Sequence, residues 1–411
     1  MSRSRPARRT GPEGPVEAHR RGLEHLRRGE YAEAMTAYAA AIQQSPDDAG
    51  GYIDLSVACN RTGQFAVALR ACELALAIAP GHPLALVNQG MAWKGLRLLE
   101  EAKRSFLAAG EHPMARFNLG HTLLLEDDLG RGLPLCEYRR PLLGTGSGLA
   151  GEPWNGDARP EATLLVVPEQ GLGDFILQSR WFTPLADRFA RVVVHTPEPL
   201  ARLVAGLDPR LEVTTTLSGA HWELWAPIMS LPLLMGVRAL EDVPVEPWIR
   251  VEGGEPAAER QRLRVGLNWA GNPTYAYDTV RSTSLDTFAP LFAIPDVDWV
   301  SLHRGAREAE ATTFGLPQPL RDAADFLDTA RVLAGLDLVI STETAVPNLS
   351  AAMGVQTCVM SAPDVDWRWS GWYRGVTVCA QGEAGDWSVP VAEAAAIVRA
   401  RATDRLARAA A

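Results

Sequence analysis

The chain has 411 residues, of which 47% are hydrophobic and 22% charged, with a formal net charge of −9. This is the composition of a folded globular protein long enough for about three domains, and its acidic balance excludes a general nucleic-acid binder, which needs a basic face. No run approaches the roughly 18 apolar residues of a membrane-spanning helix. The five cysteines are scattered without a CxxC pair or a metal-ligand spacing, as expected of a cytoplasmic, reducing setting.

Residues 1–14 carry Arg3, Arg5, Arg8 and Arg9 with no apolar run behind them, which reads as a disordered basic leader and not as a secretory signal. From residue 15 the chain repeats with a period of 34: Gly22, Ser56 and Gly90 align, as do Tyr31, Phe65 and Leu99, Ala34, Ala68 and Ala102, and Tyr38, Cys72 and Phe106. Small residues in such columns let two antiparallel helices approach closely, and Tyr or Phe is expected to fill the gap between neighbouring units. Pro46 and Pro80 close the first two units, because proline has no amide to continue a helix. This pattern resembles the tetratricopeptide repeat, and an α-solenoid is expected over 15–143, with a degenerate fourth unit from Phe117. The groove of such an array is expected to take a protein partner; packing against the rest of the chain is the alternative.

Residues 144–160, rich in Gly and Pro, read as a linker. Beyond them short apolar runs alternate with helical stretches: Thr163–Pro168, a helix over Phe175–Ala190, Arg191–His195, then runs beginning at Arg264, Asp298, Leu336 and Gln356. Buried parallel strands give this pattern. It predicts two Rossmann-like lobes, 161–250 and 258–402, with a hinge near 245–262. Ligands of open parallel sheets sit beyond the carboxyl ends of strands, so the informative residues follow these runs.

Gly171 and Gly173 allow a tight turn after the first strand, and Asp174 either caps the following helix or accepts a proton from a hydroxyl. The third glycine of a dinucleotide fingerprint is replaced by Ile176. Asn272, with Arg281 close behind, suits a pyrophosphate or sugar-hydroxyl site or forms a plain loop. His303 and Arg304 end the next strand. Glu343, Thr344, Ala345 and Asn348 open a helix whose amides offer a seat for a diphosphate, where Glu343 either binds hydroxyls or caps. Asp366 and Trp367 stand in a DWRW run whose aromatics either stack on a base or sugar or pack a seam. The motif PDVDW occurs twice, ending at Trp299 and Trp367, but no further ligand backs it as a metal site. GxSxG and GxxxxGK[ST] are both absent.

The ordered pieces EQGLGD (169–174), WAGNP (269–273) with RS (281–282), SLHRG (301–305), STETAVPNLSAAMG (341–354) and DWRW (366–369) carry a resemblance. Over about 160–400 the chain resembles the bacterial tetratricopeptide glycosyltransferases related to the lipopolysaccharide heptosyltransferases. The resemblance implies a GT-B fold and a metal-independent, inverting transfer from a nucleotide-sugar donor with no cofactor. It makes Asp174 the base and Thr344 with its neighbouring amides the phosphate seat; the residues expected to bind the donor are Gly171, Gly173, Asn272, Arg281, His303, Arg304, Glu343, Thr344, Ala345, Asn348, Asp366 and Trp367. Glu343 and Asn348 stand where the pattern has Asp and His. The expected acceptor is a protein held by the repeats, flagellin being one example. The rival readings are a repeat-based scaffold with degenerate lobes, and transfer to a lipid-linked glycan.

Overall fold

The computed structural model describes residues 14–252, 261–275, 278–363 and 365–409. The expected leader therefore lies outside the described residues except for Gly14, as do the middle of the expected hinge (253–260) and Asp364 of the second PDVDW. The chain forms two compact units, residues up to Thr122 and residues from Leu123.

The first unit is a series of helix pairs: α1 (Pro15–Arg27) with α2 (Tyr31–Gln44), α3 (Ala49–Arg61) with α4 (Phe65–Ile78), and α5 (Pro83–Gly95) with α6 (Leu99–Ala108). Helix α7 (Pro113–Leu124) opens a further turn of the array. Two of the aligned columns prove to be halves of one contact. A Cβ on Gly22 would fall 2.5 Å from the Tyr38 ring, and one on Gly90 would fall 2.4 Å from the Phe106 ring. In the middle pair Ser56 faces Cys72 through a side-chain hydrogen bond. Glycine thus stands opposite the large ring and serine opposite the small thiol, which keeps the local volume nearly constant. The aromatic fills the crossing inside its own pair, and Tyr38 also packs with Ala58 of the next, so the expected filling between units is only part of its work. Pro46 and Pro80 each follow the end of a second helix by two residues.

The repeat array was expected to reach residue 143, yet α8 (Leu129–Cys136) and α9 (Arg139–Leu143) belong to the second unit, because Leu129, Leu133 and Cys136 are buried in its core. The expected linker, 144–160, likewise holds β1 (Glu152–Pro153) and the first residues of β2 (Arg159–Val167). Helix α10 (Leu172–Gln178) follows. The helix expected over Phe175–Ala190 is interrupted by a 3-10 turn at Ser179–Trp181 before α11 (Phe182–Ala186), and β3 already begins at Phe189 (Phe189–His195). Then come α12 (Ala201–Ala205), β4 (Leu211–Thr214), β5 (Leu224–Pro227) and α13 (Leu231–Leu234). The second half runs β6 (Leu263–Asn268), α14 (Asp278–Arg281), β7 (Val297–Ser301), α15 (Glu308–Thr313), α16 (Phe326–Leu333), β8 (Leu338–Thr342), α17 (Ala345–Ala352), β9 (Thr357–Ser361), β10 (Val376–Ala380) and α18 (Ser388–Ala409).

Each half builds one five-stranded, wholly parallel sheet, in the orders β1-β5-β2-β3-β4 and β10-β9-β8-β6-β7. The runs Leu164–Val167, Val192–Val194 and all of β8 and β9 are buried, as strands covered on both faces must be. Strand order reverses between β2 and β5 in the first sheet and between β6 and β8 in the second. At such a reversal the helices leave to opposite faces and a crevice opens at the carboxyl ends. The chain is thus an α-repeat array followed by two Rossmann-like lobes, the GT-B arrangement. One continuous core joins the lobes, running from Leu164 and Val166 of β2 to Val339 of β8 and Leu349 of α17.

Candidate active site

At the carboxyl end of β2 the chain turns through Glu169 and Gln170, whose φ is +59°, into α10 at Gly171. Glu169 is fixed from below: its carboxylate accepts from Arg139 Nη2 at 2.7 Å and Nε at 3.2 Å, and from Thr145 Oγ1 at 2.7 Å. Arg139 Nη2 also donates to Ser230 Oγ at 2.7 Å, just past β5, so one buried guanidinium spans the first sheet's reversal point. Asp174 stands in the first turn of α10. One of its oxygens accepts from the Gly171 amide at 2.9 Å, and the other lies 2.7 Å from Arg368 Nε. The sequence left capping and proton acceptance open; the capping bond is present.

The second sheet's reversal point is organised by Asn268, the last residue of β6. Its Nδ2 donates to Ser341 Oγ at 3.1 Å and Thr344 Oγ1 at 3.0 Å, and its Oδ1 lies 3.2 Å from His303 Nδ1. Thr344 caps α17, its Oγ1 accepting from the Val346 amide at 3.3 Å. His303 is buried, its ring centroid 4.8 Å from that of Trp269, and burial pushes its pKa below the ordinary imidazole range. Arg281 donates through Nη1 to the Glu343 carbonyl at 2.8 Å, and its Nε lies 3.2 Å from Asp278 Oδ1. A Cβ on Gly271 would fall 2.6 Å from Arg281 Nη2, so glycine is what lets the guanidinium lie against that backbone.

The two points meet where α10 packs on α17. A Cβ on Gly173 would fall 2.8 Å from Asn348 Nδ2 and 3.5 Å from the Thr344 carbonyl. Asn348 cannot yield easily, since its Nδ2 donates to the Thr344 carbonyl and its Oδ1 accepts from Tyr373 Oη, both at 2.8 Å. Glu343 accepts from Trp369 Nε1 at 3.0 Å and from the Ala362 amide at 3.3 Å. Burial first and the nearby Asp366 second raise its pKa to about 7, against the opposing hydrogen bonds from Ser361, Trp369 and Ala362. Arg368 reaches across to the first lobe, donating from Nη2 to Gln170 Oε1 at 2.9 Å, and is paired with Asp366. Burial opposes its charge, yet Asp174 and Asp366 hold its pKa above the ordinary guanidinium value.

Gly171, Gly173, Asp174, Arg281, Glu343, Thr344, Ala345, Asn348 and Asp366 therefore converge, and His303 joins through Asn268. Three predicted residues do not. Asn272 is exposed and closes its own turn, accepting from the Thr274 amide at 3.0 Å. Arg304 donates to the Ala323 carbonyl on an exposed loop. Trp367 is buried in the core, its ring centroid 4.9 Å from that of Trp372 with the planes 73° apart, and it meets the site through the Arg368 guanidinium 5.0 Å from its ring. Arg368, Asn268, Gln170 and Tyr373 were not predicted as site residues. Arg368 lies within the DWRW run beside its partner Asp366, but its other partners, Asp174 and Gln170, lie in the first lobe, Gln170 198 positions away in the chain. Among the described residues no group of three or more His, Cys, Asp and Glu is placed to hold a metal ion, and no helix is long and apolar enough to cross a membrane.

No family model matches the chain. Among curated proteins it is similar to Protein FlbA of Caulobacter vibrioides, with 23% identity over 419 residues covering 90% of this chain and 70% of that one. Among solved structures it is similar to a Thermobaculum terrenum O-GlcNAc transferase mutant, with 13% identity and a TM-score of 0.36 over 97% of this chain and 94% of that one. It is also similar to the first TPR of Spaghetti (RPAP3) bound to an HSP90 peptide, with 24% identity and a TM-score of 0.26 over 27% of this chain and 95% of that one.

Proposed function

We propose that the chain is a glycosyltransferase that moves a sugar from a nucleotide-activated donor to a hydroxyl of a protein held by the repeats, flagellin being one candidate. The observation that carries this is the meeting of two strand-order reversal points at Gly173 and Asn348, with Arg281 on the Glu343 carbonyl before α17 and Arg368 on Asp174. In this reading the donor diphosphate lies at Thr344 and the Ala345 amide, where the helix end is partly positive. Asp174 takes the proton of the acceptor hydroxyl while its oxygen bonds to the anomeric carbon from the side opposite the diphosphate. The bond from that carbon to the phosphate oxygen breaks, its electron pair leaves with the nucleoside diphosphate, and the configuration inverts. Arg281 and Arg368 offset the charge that develops on the leaving group, so no metal is required.

Calorimetry with a panel of nucleoside diphosphates tests the donor site, and transfer by wild type and Asp174→Asn tests the base. Asp174→Asn is expected to keep nucleotide binding and to lose at least about a hundredfold in transfer. Unchanged turnover would remove Asp174 from the role. Deleting residues 1–122 is expected to abolish modification of a protein acceptor while donor hydrolysis persists; retained modification would sink recruitment by the repeats.

A further inference from the structure

Asp174 is poorly placed for proton acceptance as it stands. One oxygen takes the Gly171 amide and the other faces Arg368. The Arg368 contact is of a particular kind: Nε lies 2.7 Å from Asp174 Oδ1, yet that nitrogen makes no hydrogen bond of good geometry. It is held by charge without directional bonding, the sort of contact a better-placed anion replaces. Arg368 sits on the segment 365–374, where Ser370 Oγ donates to Asp127 Oδ1, just before α8, at 3.0 Å, and the Trp372 carbonyl accepts from Arg180 Nη1 of the first lobe at 2.7 Å. The same segment is tied back to the start of α17 by Trp369 on Glu343 and by Tyr373 on Asn348. The Arg281 guanidinium lies 4.3 Å from the Tyr275 ring and that of Arg368 lies 5.0 Å from the Trp367 ring.

We infer that Arg368 is a positioning residue that holds Asp174 in reserve. Its guanidinium covers Asp174 and Gln170, and a nucleoside diphosphate at the start of α17 draws it away and opens the carboxylate to the acceptor. A diphosphate carries more charge than one carboxylate and suits the planar guanidinium fork, so the exchange favours the ligand. Donor binding thereby precedes exposure of the base, which suppresses proton transfer when only the acceptor is present. The inference rests on the reading of this site as a nucleotide-sugar site.

The test is carbodiimide coupling of a small amine to Asp174, followed by mass spectrometry of the peptide that contains it, on the full chain. Wild type is expected to label slowly, and a nucleoside diphosphate without its sugar is expected to speed labelling about tenfold. Arg368→Met should label fast with or without nucleotide, and Arg368→Lys, which keeps the charge, should remain protected until nucleotide is added. If nucleotide binds by calorimetry and wild-type labelling does not change, the latch is overturned while the donor site stands. Folded Arg368→Met labelling no faster than wild type overturns it as well. If no nucleoside diphosphate binds, the nucleotide-sugar reading fails and takes the trigger with it. Should Arg368→Met not fold, the wild-type comparison with and without nucleotide still decides.

Discussion

Replacing Glu343 by Gln should flatten the pH dependence of stability in the range where most soluble proteins are steady. The Glu343 carboxyl sits among Trp369 Nε1, the Ala362 amide, Ser361 and Asp366, and its pKa is raised from the usual 4.5 to about 7; Arg281 donates to the Glu343 carbonyl. Between those two values the folded chain holds a proton that the unfolded chain has released. Stability therefore falls as pH rises, by about 1.4 kcal/mol per pH unit and about 3 kcal/mol in all once pH passes 7. Glu343→Gln keeps one acceptor oxygen, carries no charge and removes this dependence. It leaves one of the two N–H donors facing an amide group, a cost of about 1 kcal/mol that does not change with pH. Urea denaturation at intervals from pH 5 to 8.5 supplies both curves. His303, whose lowered pKa gives a slope of opposite sign, is present in both proteins and cancels in the difference. Curves that stay parallel across the range would refute the raised carboxyl.

Four other substitutions probe the packing that builds the site and the array. Gly173→Ala places a methyl 2.8 Å from Asn348 Nδ2, which is bonded on both sides; it should cost about 1–3 kcal/mol in denaturation and weaken nucleotide binding, and a silent substitution would mean that α10 and α17 slide apart freely. Arg139→Met leaves Glu169 buried with Thr145 alone and should destabilise by about 3 kcal/mol, whereas Arg139→Met with Glu169→Leu should recover most of the loss in the same measurement. Gly90→Ala meets the Phe106 ring at 2.4 Å and should lower the thermal midpoint, with recovery by Phe106→Leu. Ser56→Ala, opposite the small Cys72, should be far milder.

The repeat array was legible because its determinants are short-range in the chain: a small residue and its partner 16 positions on, such as Gly22 with Tyr38 and Gly90 with Phe106, recur every 34 residues. The inner strands were legible as continuous apolar runs. β5, only four residues long, and β10, partly exposed along its length, carry no such signal. Their membership of the sheets follows from pairing with β2 and β9.

The site divides along the same line. Strand-end position singled out Asp174, Arg281, Glu343 and Thr344, since parallel sheets present ligands at their carboxyl ends whatever the side chains. It could not separate them from Asn272 and Arg304, which also follow strands but bond within their own loops. Nor could it tell whether Trp367 faces a ligand or the core, because an aromatic ring serves both uses. Partners such as Arg368 with Asp174, Asn348 with Tyr373 and Arg139 with Glu169 leave no mark in local spacing. Residue type and periodicity determine which segments become helix or strand, because those preferences act over a few neighbours; which charges meet is decided by the crossing of distant segments, and only the tertiary structure sets that.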